Sequence, residues 1–209
     1  NFSVIFAPTK IFFWLRHCRL GIYADAMAFK KSRLFCPHLR CLLFFPKTPF
    51  VLEQKHDFSF MFRIFKLLKV LDLGDYDLGQ NFPMEVVLLV HLRYLVIQCG
   101  VKSIPSAICK LSRLETFQLK GATTCVVLAN TIWMMKELRH LSIASSRCSF
   151  GFIFPIEDLE RYPDLSQLGS CILAIDCCNG QSFAKILAKL PNIQTTCVLF
   201  SSFHERCYL

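Results

Sequence analysis

The sequence predicts an α/β solenoid, in which a curved parallel sheet forms the concave side and irregular or short helical segments form the convex side. Two observations predict this architecture. The segment FKLLKVLDLGDYDL, residues 65–78, places Leu68, Leu71 and Leu73 at positions i, i+3 and i+5, a spacing that suits neither a helix face nor a strictly alternating strand. The same spacing recurs along the chain every 22 to 29 residues, which indicates a repeat protein.

Five segments carry this spacing: HLRCLLF, FKLLKVLDL, HLRYLVI, RLETFQL and ELRHLSI. We call the positions i, i+3 and i+5 of this spacing the first, second and third slots. The first-slot residues are Leu39, Leu68, Leu92, Leu114 and Leu138, so successive repeats are 29, 24, 22 and 24 residues apart. This period and the L-x-x-L-x-L pattern are those of the leucine-rich repeat, whose unit has roughly 20–29 residues. The second and third slots alternate on a short strand and face the core, so stacked units bury them together. We therefore predict parallel strands near residues 41–45, 70–74, 94–98, 116–120 and 140–144, with Leu71, Leu95, Phe117 and Leu141 buried.

The segments between the predicted strands fit the convex side of such a solenoid. In CGVKSIPSAICKLSRL, the apolar residues Ile104, Ile108 and Leu111 have nearly helical spacing. Pro105 marks a place where a turn of helix can begin, because its missing N–H costs nothing at the first helical position. A globular α/β domain is the alternative, but it has no reason to keep one period over five units.

Both ends of the chain depart from the regular pattern. Residues 1–18 do not fit the repeat and are expected to be an atypical segment, either a degenerate first repeat or sequence outside the fold. Residues 19–209 are expected to form one leucine-rich-repeat domain of about six to seven irregular repeats. After Ile143 the repeats degenerate, and the next unit can be framed from Leu165 or from Leu168. In the last unit the three core slots fall on Ile193, Thr196 and Val198.

The charge is concentrated in the first third of the chain. There are 24 Lys and Arg against 15 Asp and Glu, a net charge of +9, and the whole excess lies in residues 1–69. Such a patch can bind phosphates, an anionic membrane or an acidic protein surface.

The hydrophobic fraction of 54% is high, yet we expect no transmembrane segment, because no apolar stretch reaches the roughly 20 residues that a spanning helix needs. A solenoid cut from a larger protein accounts for this fraction, since repeats without polar caps expose core.

The sequence contains no recognisable metal or catalytic arrangement. Its twelve cysteines include no C-x-x-C pair, and the metal-like grouping Cys36, His38 and Cys41 lacks the fourth ligand of a structural zinc site. We expect these thiols to be small buried hydrophobes in a reducing intracellular compartment. The chain has neither a P-loop nor a nucleophile elbow. We therefore expect no enzyme activity, no metal and no cofactor in this chain.

From about Arg19 onward the chain resembles the leucine-rich-repeat region of plant intracellular immune receptors of the coiled-coil, nucleotide-binding class. The strings that carry the resemblance are FKLLKVLDL, HLRYLVI, SIPSAICKLSRLETFQL and IWMMKELRHL. RLGIY, PHLRCLLFF and KLPNIQT look most like the late blight resistance homologues of the nightshade family. The resemblance implies a plant disease-resistance protein fragment in the cytoplasm, with peripheral association with a membrane left open.

The resemblance also implies a function in plant defence. Such a region recognises pathogen effectors and restrains its own receptor, and so contributes to defence signalling and the hypersensitive response. Expected partners are the receptor's own nucleotide-binding domain and an effector or guarded host protein, with no nucleic acid. ATP or ADP would bind only in that upstream domain. The alternatives are a leucine-rich-repeat substrate adapter of a ubiquitin ligase, a nucleic-acid binder that uses the basic first third, or a non-functional receptor fragment.

Two candidate surfaces follow from this interpretation. The first is a contact strip on the concave strand face, where the side chains between the core slots point outward. The second is a basic intramolecular contact in the stretch that leads into the clearest repeat, and it comprises Arg63, Lys66 and Lys69. The contact strip comprises Val70, Asp72, Tyr94, Val96, Gln98, Thr116, Gln118, Lys120, His140 and Ser142.

Overall fold

The computed structural model describes residues 3–7, 11–16, 19–23, 36, 38–45, 58–122, 126–145, 152–153, 170–176 and 195–201. The strands in these ranges are β1 (Ser3–Ala7), β2 (Ile11–Arg16), β3 (Arg19–Tyr23), β4 (Cys41–Phe44), β5 (Val70–Asp77), β6 (Tyr94–Gln98), β7 (Thr116–Ala122), β8 (Val126–Val127), β9 (His140–Ser145), β10 (Phe152–Ile153), β11 (Ser170–Asp176) and β12 (Thr195–Ser201). All but β8 and β10 form one sheet in the order β1-β2-β3-β4-β5-β6-β7-β9-β11-β12, and β8 pairs with β10. The five strands predicted from the repeat are therefore present and adjacent, and the α/β solenoid is confirmed.

The sheet is parallel through the repeats and antiparallel at its first edge. From β3 to β12 every neighbouring pair is parallel. β1 pairs with β2, and β2 with β3, in antiparallel register. The segment 1–18, expected to be atypical, thus contributes two strands that extend the sheet in antiparallel register. The division of the chain at residue 18 stays a prediction.

The core is a stack of the slot residues. In all five regular repeats the residues in the three slots are at most 3% exposed. Second-slot residues face one another across neighbouring strands, because Leu71, Leu95, Phe117 and Leu141 are register partners in turn. The predicted burial of these four residues is confirmed. Each fully buried apolar side chain of this size contributes about 1.5–3 kcal/mol relative to an exposed one, and the stacking supplies that burial.

Short helical segments lie between the strands. They are the α-helix α1 (Ser59–Ile64) and the 3₁₀ helices η1 (Met84–Leu88), η2 (Ser106–Lys110) and η3 (Asn130–Met134). η2 begins at Ser106 rather than at Pro105, whose backbone is extended at φ −69° and ψ 147°. Among the described residues, no helix has the length and the apolar composition that a membrane span requires.

β5 continues beyond the predicted strand and contains an irregularity. Its register with β6 shifts between Leu73 and Asp77, so the intervening residues leave the regular ladder. Tyr76 lies in this insertion and is buried. Its ring contacts those of Phe44 and Phe58 edge-on, with ring centroids 5.6 Å apart in both pairs. This aromatic cluster fills the core between the first two regular repeats, where the connecting segment is longest.

The register settles the frame of the degenerate repeats. Ser170 pairs with His140 and Cys171 with Leu141. Cys171 therefore holds the second slot, which is the register expected for the frame from Leu168 rather than from Leu165; both leucines lie outside the described residues. In the last strand, Thr196 pairs with Cys171. Thr196 is therefore in register with the second slot, as the sequence predicted for the final unit.

Candidate interaction surface

The strand face brings the predicted contact strip together in rows. Adjacent strands of a sheet lie about 4.8 Å apart, so residues paired in register across β5, β6, β7 and β9 form continuous lines of side chains. Gln98 and Lys120 are a further register pair, between β6 and β7. The first row is Val70, Tyr94, Thr116 and His140, and the second row is Asp72, Val96, Gln118 and Ser142.

Val96 differs from the rest of the strip because it is only 1% exposed. The side chains of Val96 and Lys120 meet over Gly74: a Cβ placed on this glycine would lie 2.6 Å from Val96 Cγ1 and 2.8 Å from Lys120 Nζ. Lys120 therefore reaches from β7 across β6 to β5 and helps to cover the valine. The expectation that Val96 presents an accessible contact is wrong, because another member of the strip lies against it.

Lys120 ends beside an acidic side chain that the sequence did not single out. Its Nζ lies 3.7 Å from Asp75 Oδ1, and both side chains are more than a third exposed. Such an exposed pair contributes about 0–1 kcal/mol, so a partner that approaches the face can displace Lys120 at little cost. Asp75 belongs to the irregular part of β5, and no position of the repeat pattern signals it.

Carboxylates dominate the β5 end of the strand face. Asp72 Oδ1 accepts a hydrogen bond from the Gly74 N–H at 2.9 Å, and Asp77 Oδ1 accepts one from the Gly79 N–H at 2.8 Å. Burial, and secondarily the charge of Asp72, raise the pKa of Tyr94, so its phenol remains a hydrogen-bond donor to a higher pH than a free tyrosine. With Asp75, this end of the strip offers anionic and hydrogen-bonding groups to a partner.

The predicted basic contact lies where the chain passes from the convex side into β5. Arg63 is in the last turn of α1, Lys66 is in the turn that follows, and Lys69 immediately precedes the strand. All three side chains are exposed. The Lys69 N–H donates to the carbonyl of Arg40 at 2.7 Å, which fixes the backbone at this point. The intramolecular contact itself stays a prediction.

Sequence reasoning missed a charged column at the start of the strands. The residue that follows the first-slot leucine is linked to its counterpart in the next repeat by a backbone hydrogen bond of 2.7–2.8 Å. One pair in this column, Arg93 and Glu115, also forms a salt bridge of 2.6 Å. The repeated "LR" of HLRCLLF, HLRYLVI and ELRHLSI was the available signal. The column comprises Arg40, Lys69, Arg93, Glu115 and Arg139.

Two of the described cysteines, Cys41 and Cys99, lie where burial disfavours the thiolate. Burial raises the pKa of Cys41, opposed by the charge of Arg19. Burial, and then the charge of Asp77, raise the pKa of Cys99 to about 12. A protonated thiol is a poor nucleophile and a poor metal ligand. In the part of the chain that the structure describes, which includes Cys36 and His38, no group of three His, Cys, Asp or Glu side chains could hold a metal ion.

The stacked L-x-x-L-x-L strands and their outward rows define a leucine-rich-repeat module, the class of solenoid that mediates protein–protein interaction. The leucine-rich repeat region family matches residues 37–208, and the chain belongs to this family. The repeat pattern had predicted this membership.

The relatives of this chain carry the names of plant disease resistance proteins. A late blight resistance protein of Solanum demissum is 43% identical over 99 residues, which are 44% of this chain and 7% of the relative. A late blight resistance protein homolog of the same species is 42% identical over 134 residues, 62% of this chain and 16% of the relative. A protein of Arabidopsis thaliana named for disease resistance is 29% identical over 139 residues, 63% of this chain and 16% of the relative. The chain thus spans a small part of each relative, and its resemblance to the repeat region of late blight resistance homologues is confirmed.

Proposed function

We propose that this chain is the recognition and autoinhibition module of a plant immune receptor of the coiled-coil, nucleotide-binding class. The observation that carries the proposal is the strand face, where side chains that are polar except for Val70 and Val96 form rows across four repeats. Its relatives carry disease resistance names, and solenoid curvature creates an extended binding surface along the strands. The partner of this face is a pathogen effector or a guarded host protein, and its binding leads to defence signalling and the hypersensitive response.

Recognition uses the two rows of side chains and the Lys120 side chain, which lies over Val96 and can be displaced. An incoming partner contacts Tyr94, Gln118 and His140 and competes with Asp75 for Lys120. Since the exposed Lys120–Asp75 pair contributes only about 0–1 kcal/mol, its loss is readily offset by new contacts. The carboxylates of β5 favour a partner with complementary basic groups at that end.

Autoinhibition uses the basic contact formed by Arg63, Lys66 and Lys69. In this proposal the three exposed cations meet an acidic surface of the receptor's own nucleotide-binding domain. Exposed ion pairs contribute about 0–1 kcal/mol each, so several of them act together with apolar contacts. The receptor works in the cytoplasm, ATP or ADP binds only in the upstream domain, and this chain carries no enzyme activity.

The recognition part is tested in a full-length receptor that carries this region. We expect the double substitution Tyr94→Ala and Gln118→Ala to abolish effector-dependent cell death while the receptor accumulates normally. The control is Lys102→Ala with Lys110→Ala, two exposed residues outside the strand rows. Normal cell death in the first variant, or equal loss in the control, contradicts the assignment of the strand face.

The autoinhibition part is tested by charge reversal in the same receptor. We expect Lys66→Glu with Lys69→Glu to cause cell death without effector, or to abolish co-precipitation between the separated halves of the receptor, and Arg63→Glu to add to the effect. Lys102→Glu with Lys110→Glu is the matched control, because it changes the net charge equally. Unchanged autoinhibition together with unchanged co-precipitation would refute the basic contact and leave the recognition surface unaffected.

A further inference from the structure

Each of the five regular repeats makes the same turn immediately before its first-slot leucine. The leucine N–H donates to the carbonyl three residues earlier, as from Leu68 to Phe65 and from Leu92 to Leu89, at 2.9–3.1 Å in all five repeats. The turns therefore project from one edge of the sheet. This edge is the one at which the repeat strands begin, and we call it the turn rim. It consists of the described central residues of the five turns and of the charged column that follows them. The turn rim comprises His38, Arg40, Lys66, Leu67, Lys69, Val90, His91, Arg93, Ser112, Arg113, Glu115, Lys136, Glu137 and Arg139.

The turn rim is one continuous row. Backbone hydrogen bonds of 2.7–2.8 Å connect the column from Arg40 to Arg139, a length of about 19 Å at the ordinary strand spacing. Side chains also meet between neighbouring repeats, because Arg113 Nη1 lies 3.5 Å from His91 Nδ1 and the Arg93–Glu115 salt bridge measures 2.6 Å. Side chains of successive repeats are thus presented together to whatever lies against this edge.

The turn rim is strongly cationic. It carries seven Lys and Arg against two Glu, and all seven basic residues are exposed. One of the acids, Glu115, is already paired with Arg93. The strand face has the opposite character at β5, where Asp72 and Asp75 lie. The cations of the turn rim and these two acids of β5 therefore lie on different parts of the surface.

Exposed apolar side chains lie among these cations. Leu67 and Val90, in the turns of two neighbouring repeats, are 39% and 47% exposed. Ile64 ends α1 and Leu88 ends η1, each just before one of these turns, and both are exposed as well. Exposed Lys and Arg interspersed with apolar side chains suit the surface of an anionic bilayer, where charge attracts the headgroups and apolar groups insert at the acyl boundary. A projecting edge of charged and apolar side chains suits a flat surface better than an extended peptide.

We propose that the turn rim docks the solenoid on an anionic lipid bilayer, with the basic column on the headgroups and Leu67 and Val90 in the interface. This contact goes beyond the proposed recognition and autoinhibition and does not depend on them; Lys66 and Lys69 belong to both surfaces and serve one of them at a time. It leaves the strand face uncovered, because the rim residues precede the strands and the rows lie along them.

Vesicle co-sedimentation of the 209-residue chain tests the proposal. Vesicles of phosphatidylcholine with about one third phosphatidylserine are compared with phosphatidylcholine alone at increasing salt, since attraction to an anionic surface falls with ionic strength. We expect binding only to the anionic vesicles. Arg40→Glu or Arg139→Glu each lowers the partition constant about tenfold. Lys102→Glu, an equal charge change beyond the other end of β6, changes it less than about threefold.

Two further results decide between a bilayer and a protein partner. Leu67→Gln with Val90→Gln is expected to lower the partition constant several-fold while circular dichroism shows an intact fold. The proposal is overturned if the chain ignores anionic vesicles, if Lys102→Glu weakens binding as much as Arg139→Glu, or if the apolar pair has no effect. Absence of vesicle binding, with Arg40→Glu and Arg139→Glu instead weakening association with the nucleotide-binding domain, would assign the rim to an acidic protein surface. Arg40→Glu and Arg139→Glu leave Lys66 and Lys69 in place, and co-precipitation of the receptor halves involves no bilayer, so this experiment and the autoinhibition test can fail separately.

Discussion

Substitution of one second-slot leucine tests whether the stacked slots hold the solenoid together. Leu95 is completely buried and lies in register between Leu71 and Phe117. Leu95→Ala removes an isopropyl group from a packed core, which costs about 2–5 kcal/mol. Leu88→Ala, at the end of the helix η1 that precedes this strand, is the matched control. Because Leu88 is 48% exposed, we expect it to cost about 1 kcal/mol or less.

Urea unfolding followed by circular dichroism measures this difference. Each repeat is stabilised mainly by its neighbours, so the loss at Leu95 should lower the unfolding midpoint of the described repeats together. The slope of the transition must be compared as well, because a changed slope in a repeat array signals that two-state unfolding no longer holds. A cost for Leu95→Ala no greater than that for Leu88→Ala would refute the stacked core.

Three further predictions concern single features of the structure. Gly74→Ala should destabilise the fold by about 1–3 kcal/mol, because its Cβ would lie 2.6 Å from Val96 Cγ1, and adding Val96→Ala should restore part of the urea midpoint. A double-mutant cycle of Arg93→Ala and Glu115→Ala should give a coupling of about 0–1 kcal/mol, since both side chains are more than a third exposed. Burial raises the pKa of Cys99 from 9.0 to about 12, so the unfolded thiol loses its proton first as pH rises. The free energy of unfolding should therefore fall between about pH 9 and 12, and less steeply in Cys99→Ala.

The periodic part of the fold could be predicted from the sequence because stacking imposes one rule on every repeat. A residue such as Leu71 or Leu95 is fixed by its slot, and a slot that holds a polar residue weakens the core of both neighbours. The irregular part of β5 escaped prediction because it occurs once. Tyr76 is buried by aromatic rings from earlier in the chain, and no local pattern encodes a contact over that separation.

The sequence predicted which residues lie on the strand face, but not which of their side chains are accessible. Alternation along a strand decides which side chains point away from the core, and this rule placed Tyr94 and Gln118 on the strand face. It does not decide how far a long side chain reaches sideways. Lys120 crosses a whole strand to lie over Gly74, and the glycine permits this approach because it has no Cβ. The burial of Val96 thus follows from two residues that are 46 positions apart.

The turn rim shows why charge must be counted in the folded order of a repeat protein. Along the chain, residues 1–69 hold the entire net charge of +9, and the remaining residues are electrically balanced. Once the repeats stack, Arg93, Arg113 and Arg139 join Arg40 and Lys69 on one edge, while the acids of β5 lie on the strand face. A segment with zero net charge therefore continues a cationic surface, because residues separated by about one repeat become neighbours. Tests of this protein's electrostatics therefore have to compare substitutions on the turn rim with substitutions elsewhere in the fold, as Arg139→Glu and Lys102→Glu do. Position in the sequence alone does not distinguish these surfaces.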